Sequence, residues 1–298
     1  MRLKEWLSER ATRHLGPDAA AVLRSRYLAA KAKTAPLLRA IHGRFGTDDL
    51  ARHLAERIGQ TFEILFVHSS FNALRPMYDG QAIDLVRMLI AYAGPSRTLA
   101  MPAFCFGNPA LAGASGGEAQ FDLRRTPSQM GLPSELFRRT PGVLQSRNPV
   151  YRVAALGPLA AALVAGHERA ATHCGLGTPF EFMTRRDTLI LGLGKSVDVL
   201  TQVHYAEDAM GDAFPVPRIP IAPVGITLIE GDERIPYRLP ADETAWERDM
   251  WRLRRILPPG VLREWRFHGA PMFATRAGAF TEAAMAAARR GETVYIRP

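Results

Sequence analysis

Residues 62–67 read FEILFV and residues 188–193 read TLILGL. Short, mostly apolar runs between polar flanks are typical of strands that are buried on both faces of a sheet. A third run, TLAMP at residues 98–102, ends in proline, and residues 82–93 carry apolar side chains at helical spacing. Strands that alternate with helices predict an α/β fold, with a mixed, partly parallel sheet flanked by helices. Ligand sites of such folds lie at the carboxyl ends of the strands.

Length and composition indicate one domain after an N-terminal extension. The chain has 298 residues, 47% of them apolar and 22% charged, which suffices for a large core without disulfides. Residues 1–45 are basic and carry apolar side chains at helical spacing, and no linker divides the rest. We therefore predict a helical extension over residues 1–45, followed by a single domain over residues 46–298.

Cysteine usage and hydropathy bear on the compartment. Two cysteines, Cys105 and Cys174, are too few for a disulfide framework, which predicts a reducing, cytoplasmic location. Prolines and glycines interrupt the longest uncharged stretch, residues 98–117, so no membrane span is predicted. His167, His173 and Cys174 lack a fourth ligand at zinc spacing, so no metal site is predicted.

The charge balance is the one unusual feature of the composition. The formal net charge is +9 and the pI is about 10.0. Such an excess attracts nucleic acid, acidic lipid or phosphorylated small molecules, or it reflects only an arginine-rich solvated surface. Arginines interleaved with Trp251 and Trp265 leave a non-catalytic nucleic-acid-binding protein as an alternative of another class. A solvated helix face with inward tryptophans explains this pattern more simply, so no nucleic-acid partner is expected.

A polar triplet follows the strand and glycine turn that end at Gly194. Thr201, His204 and Glu207 are each one helical turn apart, which places them along one side of a helix. A histidine there can act as a general base, because it titrates near neutrality and a carboxylate can hold its ring. A threonine hydroxyl one turn earlier can donate to a developing oxyanion or thiolate. The alternative interpretation is a helix start that merely has a polar face.

Further motifs occur in a fixed order along the chain. They are Val67-His68-Ser69-Ser70, Phe121-Asp122, TPSQMG at 126–131, ELFR at 135–138, Pro141-Gly142-Val143, AALG at 154–157, Thr178-Pro179 and Thr201-x-x-His204-x-x-Glu207. In this order they resemble the aminoglycoside 3-N-acetyltransferase family, over roughly residues 50–280. One departure is clear, because residues 145–149 read QSRNP where the family usually has Arg-Ser-x-His-Pro.

The resemblance implies an acetyl-CoA-dependent N-acetyltransferase, with a fold unlike the common small acetyltransferase fold. Its acceptor would be a small-molecule amine: an aminoglycoside, which acetylation inactivates as an antibiotic, or an amino sugar of a biosynthetic pathway, including a nucleotide-linked one. The net charge of +9 favours the second acceptor, because aminoglycosides are polycations. Local acid near the site, such as Asp208 or Asp212, would favour the first. The resemblance leaves a homodimer open and implies no membrane partner.

The resemblance also assigns roles to individual residues. His204 would be the general base for direct attack by the amine, Glu207 would orient its ring, and Thr201 would donate to the thioester oxygen or leaving sulfur. Asp208 would bind the acceptor. Acetyl-CoA, as co-substrate, would bind along His68, Ser69, Ser70, Ser128, Met130 and Gly131.

Overall fold

A seven-stranded sheet forms the centre of the molecule. The computed structural model describes residue 22 and residues 33–106, 119–240 and 242–298. The strands are β1 (Ile64–Ser69), β2 (Thr98–Pro102), β3 (Ala119–Asp122), β4 (Leu144–Gln145), β5 (Val153–Leu156), β6 (Thr188–Leu193), β7 (Ile219–Pro220), β8 (Val224–Glu230), β9 (Glu233–Leu239), β10 (Asp242–Glu243), β11 (Glu247–Arg248), β12 (Leu262–Phe267), β13 (Ala270–Arg276) and β14 (Tyr295–Ile296). The α-helices are α1 (Ala35–His42), α2 (Thr47–Ile58), α3 (Phe71–Leu74), α4 (Ala82–Ala93), α5 (Leu132–Arg138), α6 (Ala160–Val164), α7 (Pro179–Thr184), α8 (Gln202–Met210), α9 (Leu253–Ile256) and α10 (Ala277–Arg289).

The central sheet has the order β12-β13-β6-β1-β2-β5-β4. Its middle strand β1 pairs in parallel with β2 and β6, whereas the outer pairs are antiparallel. A smaller sheet has the order β3-β8-β9. The prediction of a single α/β domain with a mixed, partly parallel sheet is confirmed.

Both faces of the central sheet are covered, as the apolar strands require. Leu65 and Val67 of β1 lie in a core with α2 and α4. Ile64 and Phe66 lie in a second core with α7 and α10. Because successive side chains of a strand point to opposite faces, one continuous apolar run fills both cores.

The strand β1 lies two residues further along the chain than the predicted run at residues 62–67, because it spans Ile64–Ser69. The sequence pattern predicts that His68 ends the strand, but β1 continues to Ser69. Its neighbour β6 supplies the pairing, since His68 lies opposite Gly192 and Ser69 opposite Leu193. The polar side chains of His68 and Ser69 are therefore buried at the carboxyl end of the sheet.

Gly192 of β6 lies opposite Phe273 of β13, and its replacement by alanine should lower the free energy of unfolding by about 1–3 kcal/mol. A Cβ atom at residue 192 would lie 2.1 Å from the ring of Phe273. That ring is fully buried in the second core, so it must shift against packed neighbours to make room. Urea unfolding measures the change, and Gly225→Ala is the control, because a Cβ there meets nothing within 4 Å. Equal changes in the two variants would contradict the prediction.

The N-terminal segment is described only in part. Leu38 of α1 packs against the first core, and Phe45 is buried and forms a β-bridge to Tyr78. The chain is thus attached to the domain immediately before residue 46. Most of the predicted extension, residues 1–21 and 23–32, lies outside the described residues. Within the described ranges, no helix is long and apolar enough to cross a membrane.

Candidate active site

A cavity of about 680 Å³, here called the first cavity, opens at the carboxyl ends of β1 and β6. This is the edge where parallel strands of an α/β sheet leave side chains and backbone groups available to a ligand. The structure brings together most residues predicted from the sequence. The first cavity is lined by His68, Ser69, Ser70, Met130, Gly131, Thr201 and His204.

His68 and Ser69 bring unpaired polar atoms to this cavity. His68 Nε2 and Ser69 Oγ are buried and have no hydrogen-bond partner in the described part of the chain. Burial, followed by the nearby charge of Lys195, lowers the pKa of His68 to about 3, so its imidazole is neutral. Buried polar atoms normally have partners, so this pair fits a ligand that supplies polar atoms of its own.

The turn before α5 forms another wall of the first cavity. Ser128 Oγ accepts a hydrogen bond from the Met130 N–H at 3.1 Å, and the Ser128 N–H donates to Glu135 Oε2 at 2.7 Å. Ser128 is not among the described lining residues and instead shapes this turn. Gly131 has a φ of +96°, and a Cβ there would meet nothing within 4 Å. Its backbone is therefore open to a ligand that approaches closely.

His204 and Glu207 form a hydrogen-bonded pair on α8. His204 Nδ1 lies 3.1 Å from Glu207 Oε2, and a carboxylate can only accept, so this nitrogen carries the proton. The other ring nitrogen, Nε2, then accepts a hydrogen bond from Arg248 Nη1 at 3.3 Å. These contacts fix the orientation of the His204 ring, with Nδ1 toward Glu207 and Nε2 toward Arg248.

Glu207 is only 2% exposed, and its Oε2 atom is surrounded by donors. Burial raises the pKa of this carboxyl, but His204, Arg248 and Arg218 outweigh burial and hold the pKa below its usual value. Arg248 Nη2 lies 3.0 Å from Oε2, and the Tyr295 hydroxyl donates to the same atom at 3.2 Å. Glu207 is therefore an anion that can stabilise a positive charge on His204.

Arg248 and Tyr295 contact the His204–Glu207 pair, and sequence reasoning misses both. Arg248 contacts His204, Glu207 and the Tyr295 hydroxyl, and its guanidinium lies 4.8 Å from the centre of the Tyr295 ring. The pairing of β11 with β14 brings Arg248 and Tyr295 together. No local spacing reveals this contact, because it joins distant parts of the chain.

A second cavity, of about 840 Å³, lies on the other side of His204. Tyr151, His204 and Arg248 line both cavities. The second cavity is rich in acid, whereas the protein as a whole is basic. Its carboxylates belong to Glu207, Asp208, Asp212, Asp242 and Glu243.

Asp208, predicted to bind an acceptor, lies in the second cavity. Its Oδ1 atom pairs with Arg218 Nη1 at 2.6 Å, and its Oδ2 atom accepts the Cys174 N–H at 3.1 Å. Arg218 also lies 3.1 Å from Asp242 Oδ2. The predicted residue is in place, but a guanidinium of the same chain already contacts it.

The environments of Thr201 and of the two cysteines indicate which of these side chains can donate to a ligand and which can act as a nucleophile. Thr201 is 8% exposed, and its hydroxyl donates to the Val199 carbonyl at 3.3 Å, a long hydrogen bond that a ligand could replace. Burial raises the pKa of the Cys174 thiol well above its usual value and also raises that of Cys105. Buried, protonated thiols are poor nucleophiles, so neither cysteine is suited to covalent catalysis.

Asn148, in the segment that departs from the family pattern, supports the wall between the two cavities. Its side-chain oxygen accepts the N–H groups of Val150 and Tyr151 at 2.9 and 2.8 Å. Its amide nitrogen contacts His173 Nδ1 at 3.2 Å. Tyr151 in turn packs edge-on against His204, with ring centres 5.6 Å apart. Asn148 is therefore hydrogen-bonded within the fold, whereas the side-chain oxygen of Gln145, the other departing residue, is buried with no partner in the described part of the chain.

Curated relatives match part of this chain. An aminoglycoside N(3)-acetyltransferase IV from a Salmonella species is 32% identical over 174 residues, which are 55% of this chain and 62% of that protein. An aminoglycoside N(3)-acetyltransferase III from Acinetobacter baumannii is 31% identical over 159 residues, 50% of this chain and 55% of that protein. These matches thus span less than two thirds of either relative.

Solved structures and a family model match more of the chain. AAC-VIa with bound sisomicin has a TM-score of 0.68 at 21% identity, over 84% of this chain and 100% of that one. AAC-IIIb in binary complex with CoASH has a TM-score of 0.69 at 20% identity, over 85% and 99%. At these identities the likeness establishes the fold alone. The family model for aminoglycoside 3-N-acetyltransferase matches residues 66–288, and the chain therefore belongs to the aminoglycoside 3-N-acetyltransferase family.

Proposed function

We propose that this protein transfers acetyl from acetyl-CoA to an amine of an amino sugar or aminoglycoside, with His204 as the general base. The position of the His204–Glu207 pair where the two cavities meet carries this proposal. A base at this junction can reach an amine in one cavity while the amine faces a thioester in the other. Family membership supports the same activity.

The first cavity is the proposed site of acetyl-CoA. The unpaired polar atoms of His68 and Ser69 fit the amide and carbonyl groups of the pantetheine chain. The open backbone at Gly131 and the adjacent Met130 fit its passage along the wall. Lys195 also lines the cavity and can attract a phosphate. A binary complex of AAC-IIIb, which shares the fold, contains CoASH.

The second cavity is the proposed site of the acceptor. Its carboxylates attract an ammonium group and counter the repulsion expected from the basic protein. AAC-VIa, which shares the fold, has been solved with sisomicin bound. An aminoglycoside acceptor would make the protein an antibiotic-inactivating enzyme, and a biosynthetic amino sugar is the alternative acceptor.

The proposed reaction begins with removal of a proton. An ammonium group cannot attack a thioester, so His204 Nε2 takes the proton, while Glu207 stabilises the imidazolium. The incoming amine would displace Arg248 Nη1 from its contact with Nε2. The amine nitrogen then bonds to the thioester carbon, and Thr201 donates to the developing oxyanion or the leaving sulfur. The carbon–sulfur bond breaks, and the imidazolium of His204 passes its proton to the CoA thiolate, which leaves as the thiol. The imidazole, neutral again, takes the excess proton from the new amide nitrogen and releases it to solvent.

A thiol-release assay tests the proposed function. The protein is mixed with acetyl-CoA and a panel of amines that includes aminoglycosides and simple amino sugars, and free CoA is measured over time. We expect amine-dependent release of CoA and a product heavier by one acetyl group. A protein that neither releases CoA with any amine nor shows a thermal shift with CoA would overturn the proposal. A shift with DNA alone would instead favour the nucleic-acid-binding alternative.

Replacement of both Ser69 and Ser70 by alanine should raise the KM for acetyl-CoA about tenfold. A tenfold change corresponds to the loss of about one net hydrogen bond over the two positions together. Both residues line the first cavity, and Ser70 also caps α3 by accepting the Ala73 N–H at 3.3 Å. Steady-state kinetics and calorimetric binding of CoA measure the effect. Ser96→Ala is the matched control, because Ser96 is exposed in the turn before β2. Unchanged affinity for CoA in a folded double variant would remove both serines from the proposed site.

A further inference from the structure

An arginine of the chain itself occupies the acidic part of the second cavity. The Arg218 guanidinium contacts Asp208 at 2.6 Å and Asp242 at 3.1 Å, and it lies 3.7 Å from Glu207. Its side chain is 25% exposed and packs over the Phe214 ring, with 5.9 Å between the guanidinium carbon and the ring centre. Several contacts therefore hold this cation in one place.

Arg218 reduces the number of carboxylates in the second cavity that are available to bind an acceptor. Both oxygens of Asp208 already have donors, from Arg218 and from the Cys174 backbone. The inner carboxylates of Glu207 and Asp208, together with the exposed Asp242 at the cavity mouth, thus share the guanidinium groups of Arg218 and Arg248. One formal negative charge remains uncompensated, which is enough for the reacting ammonium group but not for a second one beside it.

The remaining acid lies at the rim of the second cavity. Asp212 and Glu243 are exposed and form no ion pair with any residue that the structure describes. Exposed carboxylates attract a distant cationic group only weakly, because water and salt screen them. Additional positive charge on an acceptor is therefore tolerated at the rim but not next to the reacting amine.

We propose that Arg218 is a specificity-determining residue that stands in the place of an acceptor's second ammonium group. It restricts the inner cavity to acceptors that carry one basic nitrogen near the reacting position, with an uncharged, hydroxyl-rich remainder. This inference rests on the proposed function and narrows its acceptor class to amino sugars of low positive charge. A polyamino sugar must displace Arg218 from Asp208 and Asp242, which lowers its affinity.

Acceptor selectivity of Arg218→Gln tests this inference. Glucosamine serves as the monoamino acceptor and sisomicin as the polyamino one. Glutamine frees the charge of Asp208 and Asp242, so the sisomicin-to-glucosamine ratio of kcat/KM should rise about tenfold. Arg218→Lys keeps the positive charge and should keep the wild-type ratio. Arg52→Gln, which removes an exposed arginine on α2 paired with Asp49, is the control for general charge effects.

Calorimetric binding of the same two amines, without acetyl-CoA, separates this inference from the proposed reaction. Arg218→Gln should bind sisomicin about tenfold more tightly relative to glucosamine, whether or not acetyl transfer occurs. Absence of transfer with a normal binding shift would overturn only the reaction. An unchanged ratio in folded Arg218→Gln would overturn the role of Arg218.

Discussion

His204→Ala is expected to lower kcat by about 10²–10⁴-fold, the usual contribution of a general base. The loss follows because no other described group at the junction of the two cavities offers a lone pair in place of His204 Nε2. Arg248 and Tyr151 share this junction, but a guanidinium cannot accept a proton, and burial keeps the pKa of the Tyr151 hydroxyl far above neutrality. Steady-state turnover with saturating acetyl-CoA and acceptor measures the effect.

Two further measurements separate a catalytic role of His204 from a role in folding: the affinity for CoA, and the activity of a milder variant of Glu207. Calorimetry should find the affinity of His204→Ala for CoA nearly unchanged, because the imidazole is proposed to meet the acceptor amine. Glu207→Gln should lose less activity, since an amide oxygen can still accept from Nδ1 but cannot stabilise the imidazolium by charge. His42→Ala, at the exposed end of α1, is the matched control. Near-wild-type turnover in a folded His204→Ala protein would end the catalytic assignment.

Arg152→Met is expected to lower the free energy of unfolding by about 3–5 kcal/mol, because it leaves buried carbonyl groups without donors. Arg152 is fully buried. Its guanidinium donates to the carbonyl oxygens of Ala103 at 3.3 Å, Leu123 at 2.5 Å and Thr126 at 2.9 Å. The Arg152 side chain, directly before β5, thus connects the segments that follow β2 and β3. Its loss should therefore also loosen the wall beside the first cavity.

Urea unfolding of Arg152→Met, followed by circular dichroism, measures this loss. Methionine keeps most of the apolar volume of the arginine stem, so the change reports mainly on the missing donors. Arg290→Met is the control, because its exposed guanidinium pairs with Glu292 at the surface. The explanation fails if Arg152→Met unfolds at the same urea concentration as Arg290→Met. It also fails if Arg152→Lys, which provides fewer donors, is as stable as the wild type.

Local patterns of the sequence were sufficient for the fold class and for the helix that carries His204 and Glu207. The apolar runs at residues 62–67 and 188–193 predict buried strands because a strand covered on both faces carries mostly apolar side chains without alternation. The spacing of Thr201, His204 and Glu207 predicts their common side because a helix repeats about every 3.6 residues. The order of motifs indicates the family, which the match over residues 66–288 confirms.

Tertiary structure alone decided the electrostatics of the site. The sequence shows a protein of net charge +9, yet chain folding collects five carboxylates around the second cavity. It also brings Arg248 to His204 and Arg218 to Asp208, through elements whose positions no periodicity encodes. Helical and strand periods report which residues share a face of one element, because they reflect backbone geometry over a few residues. Charge at a site depends on distances between elements far apart in the chain, because Coulomb interactions fall with separation in space and not in sequence.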